Sequence, residues 1–85
     1  MFINELKTLV GGPKEVLGHF DCEDNQLTDL VGSPTKVGSD FYCSWNQLSS
    51  LKGAPTKVDG NFGCFNNPLK STKDKPEYIG GRFVS

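Results

Sequence analysis

The chain lacks most of what would announce an activity. Its 85 residues hold nine basic and ten acidic side chains, a single histidine and three cysteines. Near-cancelling charge leaves no overall field to draw in nucleic acid or an anionic membrane. No apolar run approaches the eighteen or so residues of a membrane span, and the opening MFINELKTLV has neither the basic flank nor the long apolar stretch of a secretory signal. The expectation is therefore a cytoplasmic protein. An odd number of cysteines, at 22, 43 and 64, suits a reducing compartment better than a paired disulfide framework. There is no second histidine to complete a metal set, no glycine-rich phosphate loop, and no serine or cysteine nucleophile in the column of His19. Hence no catalytic residue, no metal site and no cofactor is expected. At this length a single globular core is marginal without regular reinforcement.

What is present is one phrase stated repeatedly. HFDCEDNQL from His19, DFYCSWNQL from Asp40 and NFGCFNNPL from Asn61 are separated by 21 residues without a gap. The same shift aligns Leu6, Leu27, Leu48 and Leu69, then Leu9, Leu30 and Leu51. It also aligns Pro13, Pro34, Pro55 and Pro76, then Val16, Val37, Val58 and Ile79. Phe20, Phe41, Phe62 and Phe83 form a further column, as do Asn4, Asn25, Asn46 and Asn67. The cysteines share a column bounded by Met1 and Ser85. The chain divides into a single repeat domain, 1–85, with a partial unit 1–5, units 6–26, 27–47 and 48–68, and a truncated unit 69–85. Units of this length cannot bury an apolar face alone and must stack on their neighbours, which defines a solenoid.

Within DFYCS the alternation sends Phe41 and Cys43 to one face and Asp40, Tyr42 and Ser44 to the other. Stacking predicts a parallel sheet of about four short strands with one buried face. The asparagines stand where the chain leaves the strand, and a buried carboxamide there can satisfy backbone groups of adjacent turns. In the return LSSLKGAPTKV, Leu48 and Leu51 point inward, and a glycine and a proline argue against a helix. Gly18, Gly60 and Gly81, with Ser39 as the exception, mark the corner into each strand. Cysteines in one column lie about 4.8 Å apart in a line, which suits buried packing and not a tetrahedral metal.

The unit VGSDFYCSWNQLSSLKGAP resembles a leucine-rich repeat, with Val37, Phe41, Cys43, Asn46 and Leu48 in the places of L-x-x-L-x-L-x-x-N-x-L. It departs from that pattern in having three residues between Val37 and Phe41 and phenylalanine for leucine. The wording V-x-x-x-F-x-C-x-x-N-x-L is similar to small repeat proteins of large tailed phages. That resemblance implies a mainly β, leucine-rich-repeat-like solenoid with largely non-helical returns, acting as a host-directed binder.

The residues that vary on a constant frame carry the remaining information. They are His19, Asp21 and Glu23, then Asp40 and Tyr42 with Ser44, then Asn61 and Phe65 with Gly63, and Asp24 and Trp45 beyond the strand ends. All eight lysines fall outside these strand segments. An acidic, aromatic strip disfavours phosphates and suits a protein partner with a basic patch. The expected partner-binding set is His19, Asp21, Glu23, Asp40, Tyr42, Trp45, Asn61 and Phe65. The alternative is self-association: Arg82, Phe83 and Val84 form a bare strand edge that could pair antiparallel in a homodimer. Phe2 and Ile3, beside Met1 and Asn4, are expected to fold over the first turn as a cap.

Overall fold

A computed structural model describes residues 7–85. The expected cap of Met1, Phe2, Ile3 and Asn4 lies outside the described residues. The described chain is a β-solenoid with no helix. Its eight two-residue strands are β1 (Glu15–Val16), β2 (Phe20–Asp21), β3 (Lys36–Val37), β4 (Phe41–Tyr42), β5 (Lys57–Val58), β6 (Phe62–Gly63), β7 (Tyr78–Ile79) and β8 (Phe83–Val84).

The four-stranded parallel sheet anticipated from the phenylalanine column is present, in the order β2-β4-β6-β8. Beside it runs a second parallel sheet, β1-β3-β5-β7, built from the valine column. Both keep the 21-residue register, as Phe41 facing Phe62 and Val37 facing Val58 show. The second sheet changes the reading of the lysines. Lys36 and Lys57 lie in β3 and β5, so the cations are not confined to irregular returns. Two-residue strands carry too little alternation to be visible as strands, which is why only the stacking reveals them.

Each turn contributes the same buried set. Leu27, Leu30, Leu48, Leu51, Phe41, Phe62, Val58 and all three cysteines are fully excluded from solvent, and Val37 nearly so. The phenylalanines stack face to face at centroid separations of 5.3, 5.1 and 5.6 Å from Phe20 to Phe83. Burial of such columns is the main stabilising term, since each large apolar side chain removed from water contributes about 1.5–3 kcal/mol.

The returns are tight turns, not helix. Leu9, Leu30 and Leu51 each accept from the N–H three residues on, at 3.1, 2.9 and 3.0 Å. The third residue of each turn is Gly11, Gly32 or Gly53, with φ of 93°, 95° and 88°, the left-handed backbone that a type II turn demands there. A Cβ on Gly53 would also strike the Val31 backbone. The corner glycines serve a different purpose. Gly60 and Gly81 have no left-handed φ; a Cβ on either would meet the side-chain oxygen of Asp40 or Asn61. They leave room for a hydrogen bond.

Candidate functional site

Two side-chain ladders run along the solenoid, and one of them absorbs residues expected to face a partner. The first is the asparagine ladder. Asn46 donates from Nδ2 to the carbonyls of Cys43 and Cys22, both at 3.0 Å, and accepts the Leu27 N–H at Oδ1 at 3.0 Å. Asn67 repeats this one turn later, donating to Cys43 and Cys64 and accepting from Asn46 and Leu48. Asn25 donates to its own Cys22 carbonyl at 2.9 Å. These carboxamides are structural, as their position after each strand implied.

The second ladder occupies the column of His19, Asp40 and Asn61. Asp40 accepts the Asn61 N–H at 2.7 Å, and Asn61 accepts the Arg82 N–H at 2.9 Å. The Asp40 N–H likewise donates to His19 Nδ1 at 3.3 Å. The same nitrogen lies 3.4 Å from Asp40 Oδ2. That nitrogen accepts the Asp40 N–H only where it carries no hydrogen of its own. Three different residue types thus share one task, to accept the backbone N–H of the following turn. The Asn61 N–H holds the Asp40 carboxyl below the usual carboxylate range, with the Tyr42 hydroxyl and His19 adding to this against some desolvation.

On the strand face itself, Tyr42 does not project. Its ring lies against the bare backbone of Gly63, where an added Cβ would come within 3.0 Å of Cδ1, and its hydroxyl donates to Asp40 at 3.0 Å. That bond, which the phenolate would lose, raises the Tyr42 pKa. Ser44 was expected on the exposed face and is instead fully buried, its Oγ without a partner among the described residues. Gly63 leaves the space that lets Tyr42 lean over this region, a packing one turn away that alternation within a strand cannot show.

What remains free for contact is narrower than the sequence suggested. Trp45 is 57 % exposed and Phe65 37 %. Trp45 donates its N–H to the Phe65 carbonyl at 3.1 Å, so their backbones are adjacent. Trp45 also has φ of 59°, as do Asp24 with 59° and Asn66 with 56° in the same column. Aspartate and asparagine adopt this left-handed backbone readily; a bulky aromatic residue is a true outlier. Sequence inspection missed this because the column reads as variable when its backbone is constant.

At the first end of this strip Asp21, Glu23 and Asp24 gather. Partial burial and its two acidic neighbours push the Glu23 carboxyl up. At the other end, Arg82 is exposed, Val84 is 44 % exposed, and Phe83 is half-buried with the Lys75 ammonium 5.2 Å over its ring. Burial raises all three thiol pKa values, Cys22 to about 12 and Cys64 to about 11. Such thiols carry little thiolate and pack as small apolar groups.

The architecture places the chain among the parallel β-solenoids of short repeat. Compared with protein families, with curated proteins and with solved structures, the chain matches none.

Proposed function

We propose that the protein is a non-enzymatic protein-interaction module that docks through the strip containing Trp45 and Phe65 onto a protein with a basic patch. The observation that carries this reading is Trp45 itself. It is held in a backbone conformation that costs a bulky side chain about 1–3 kcal/mol, and more than half of it stays in water. Neither feature helps the fold. Exposed tryptophan is the residue type most enriched among binding anchors, and the carboxylates of Asp21, Glu23 and Asp24 supply the complement to a basic partner. Tyr42, seated on Gly63, serves as a firm floor to the strip, and His19, Asp40 and Asn61 border it while holding the turns together. The likeness to leucine-rich repeats and to phage repeat proteins belongs to this proposal: the partner is then a host enzyme or defence protein in the cytoplasm, whose activity is inhibited or redirected on binding.

The test is Trp45→Asn, which puts a residue suited to the left-handed region in place of the tryptophan. Affinity capture from the native cell should lose its partner while the unfolding midpoint stays level or rises. A variant that unfolds early and still captures the partner would place Trp45 in the frame and overturn the reading.

A second reading is self-association through Arg82, Phe83 and Val84. It is favoured by the N–H groups of Phe83 and Ser85, which have no hydrogen-bond partner among the described residues, whereas their equivalents at Phe62 and Cys64 are bonded to the next turn at 2.8 Å. Light scattering separates the two: a concentration-dependent dimer abolished by Val84→Pro supports assembly, and a monomer at high concentration rejects it.

A further inference from the structure

The column of His19, Asp40 and Asn61 joins successive turns by one repeated bond, and its first member differs from the others in kind. Asp40 accepts the Asn61 N–H at Oδ1, at 2.7 Å, and Asn61 accepts the Arg82 N–H at its own Oδ1, at 2.9 Å. Carboxylate and carboxamide oxygens remain acceptors throughout the neutral pH range. His19 takes the Asp40 N–H at Nδ1, at 3.3 Å. Imidazole is the side chain whose unperturbed charge change falls between about pH 5 and 8. An imidazolium carries a hydrogen on both nitrogens and accepts at neither. Among the described residues the Asp40 N–H has no other acceptor.

We infer that His19 is a pH-sensitive joint between the first and second turns: a proton on the imidazole breaks the bond from the Asp40 N–H and replaces it with an ion pair from Nδ1–H to Asp40 Oδ2. The receiving oxygen is in position, 3.4 Å from Nδ1. Oδ2 already accepts the Tyr42 hydroxyl at 3.0 Å, whereas Oδ1 holds the Asn61 N–H. The joint between the second and third turns therefore survives the proton that opens the first. The His19 side chain is 64 % exposed, so the proton arrives from water without unfolding. Among the described residues, the titratable groups that face the imidazole are Asp40 and Tyr42 on the following turn. On its own turn Asp21 and Glu23 share its face. The nearest charged residue before it in the chain is Glu15, in β1 of the other sheet, and the cation of the column, Arg82, stands three turns on.

The proton alters how the two turns are joined and leaves their stacking in place. The Phe20 and Phe41 rings, 5.3 Å apart, and the bonds from the Phe20 and Cys22 N–H groups to the second turn, at 2.8 and 2.9 Å, do not involve the imidazole. What opens is the corner at Asp40 that leads into β4. Tyr42 then shares Oδ2 with the imidazolium, so the ring beneath the strip around Trp45 feels the same proton. The joint is a property of the chain alone and stands whether or not that strip has a partner.

The test is an NMR titration of the intact ¹⁵N-labelled chain from about pH 8 down to about pH 5. At the upper end the His19 Nδ1 signal should be that of a nitrogen without hydrogen. The Asp40 amide proton signal should then move upfield, as a released donor does, along the titration curve of the imidazole itself. The Asn61 amide signal should move far less, because its acceptor Oδ1 belongs to a carboxyl held below the usual carboxylate range. His19→Asn supplies a permanent acceptor, as Asn61 does for Arg82, and should hold the Asp40 amide signal in place across the whole range. Three results each overturn the inference: a hydrogen already on Nδ1 at the upper end, an Asp40 amide signal that stays flat while the imidazole titrates, or the same shift in His19→Asn as in the parent. The titration of the parent decides the matter even if the variant fails to fold, and loss of capture by Trp45→Asn bears on none of these signals.

Discussion

Replacing Asn46 by alanine removes no apolar contact, yet the structure predicts that it is among the most damaging single changes. The carboxamide is 5 % exposed. It satisfies three buried backbone groups, the Leu27 N–H and the carbonyls of Cys22 and Cys43. An orphaned buried group costs about 1–3 kcal/mol. The Cys22 carbonyl keeps Asn25 at 2.9 Å and the Cys43 carbonyl keeps Asn67 at 3.0 Å, so only the Leu27 N–H is orphaned outright and about 2 kcal/mol is the appropriate expectation. A chain of this length has roughly 4–13 kcal/mol in all. With a urea dependence of about 1–1.5 kcal/mol per molar, the midpoint should fall by about 1.3–2 M. Trp45 fluorescence follows the transition directly. Midpoints for Asn46→Ala within about 0.2 M of the parent would refute the assignment of the ladder as the element that joins the turns.

Other consequences concern charge and sulfur. Asp40→Asn should keep the bond to the Asn61 N–H, as Asn61 does for Arg82, whereas Asp40→Ala should lose about 1 kcal/mol. Because the Asp40 pKa is lowered on folding, its stabilisation is fully present above the unfolded carboxylate value and is lost as pH falls through the folded one. Acid unfolding curves should therefore flatten in Asp40→Asn, and an unchanged curve would remove the carboxylate from the account. Cys43→Ala should cost about 1–2 kcal/mol through a small cavity. All three thiols should resist labelling near pH 8 in the folded protein, and rapid modification would show that they are not buried. Their raised pKa values give stability that is present below the ordinary thiol value of 9.0 and is lost at alkaline pH toward about 12 for Cys22.

The frame was legible in the sequence wherever one residue type repeats for one reason. Phenylalanine, cysteine and leucine recur because each fills the same slot in a stacked core, and asparagine recurs because only a carboxamide both gives and accepts at the strand exit. Different residues doing one job were not legible. His19, Asp40 and Asn61 look like a variable surface column, yet each offers an acceptor to the next turn's N–H. The opposite error arose at Ser44, whose place in an alternating strand implied exposure. Its burial depends on Gly63 and Tyr42 meeting across turns. The second sheet was hidden for a similar reason, since Lys36–Val37 and its equivalents are pairs that become strands only by stacking. Trp45 was singled out for its size. The backbone strain beneath it, shared with Asp24 and Asn66, follows from a turn geometry that residue identity conceals when one of the three is tryptophan.

Amide hydrogen exchange of the intact chain tests the central claim, that asparagine side chains close the backbone between turns. The Leu27 and Leu48 N–H groups lie outside any strand, and each is bonded only to a ladder oxygen, at 3.0 Å. They should exchange as slowly as the Cys43 N–H directly after β4, which bonds to the Gly63 carbonyl at 2.8 Å, while the Asn67 and Leu69 N–H groups, without a partner among the described residues, exchange orders of magnitude faster. Fast exchange at Leu27 and Leu48, with protection confined to the two sheets, would contradict it.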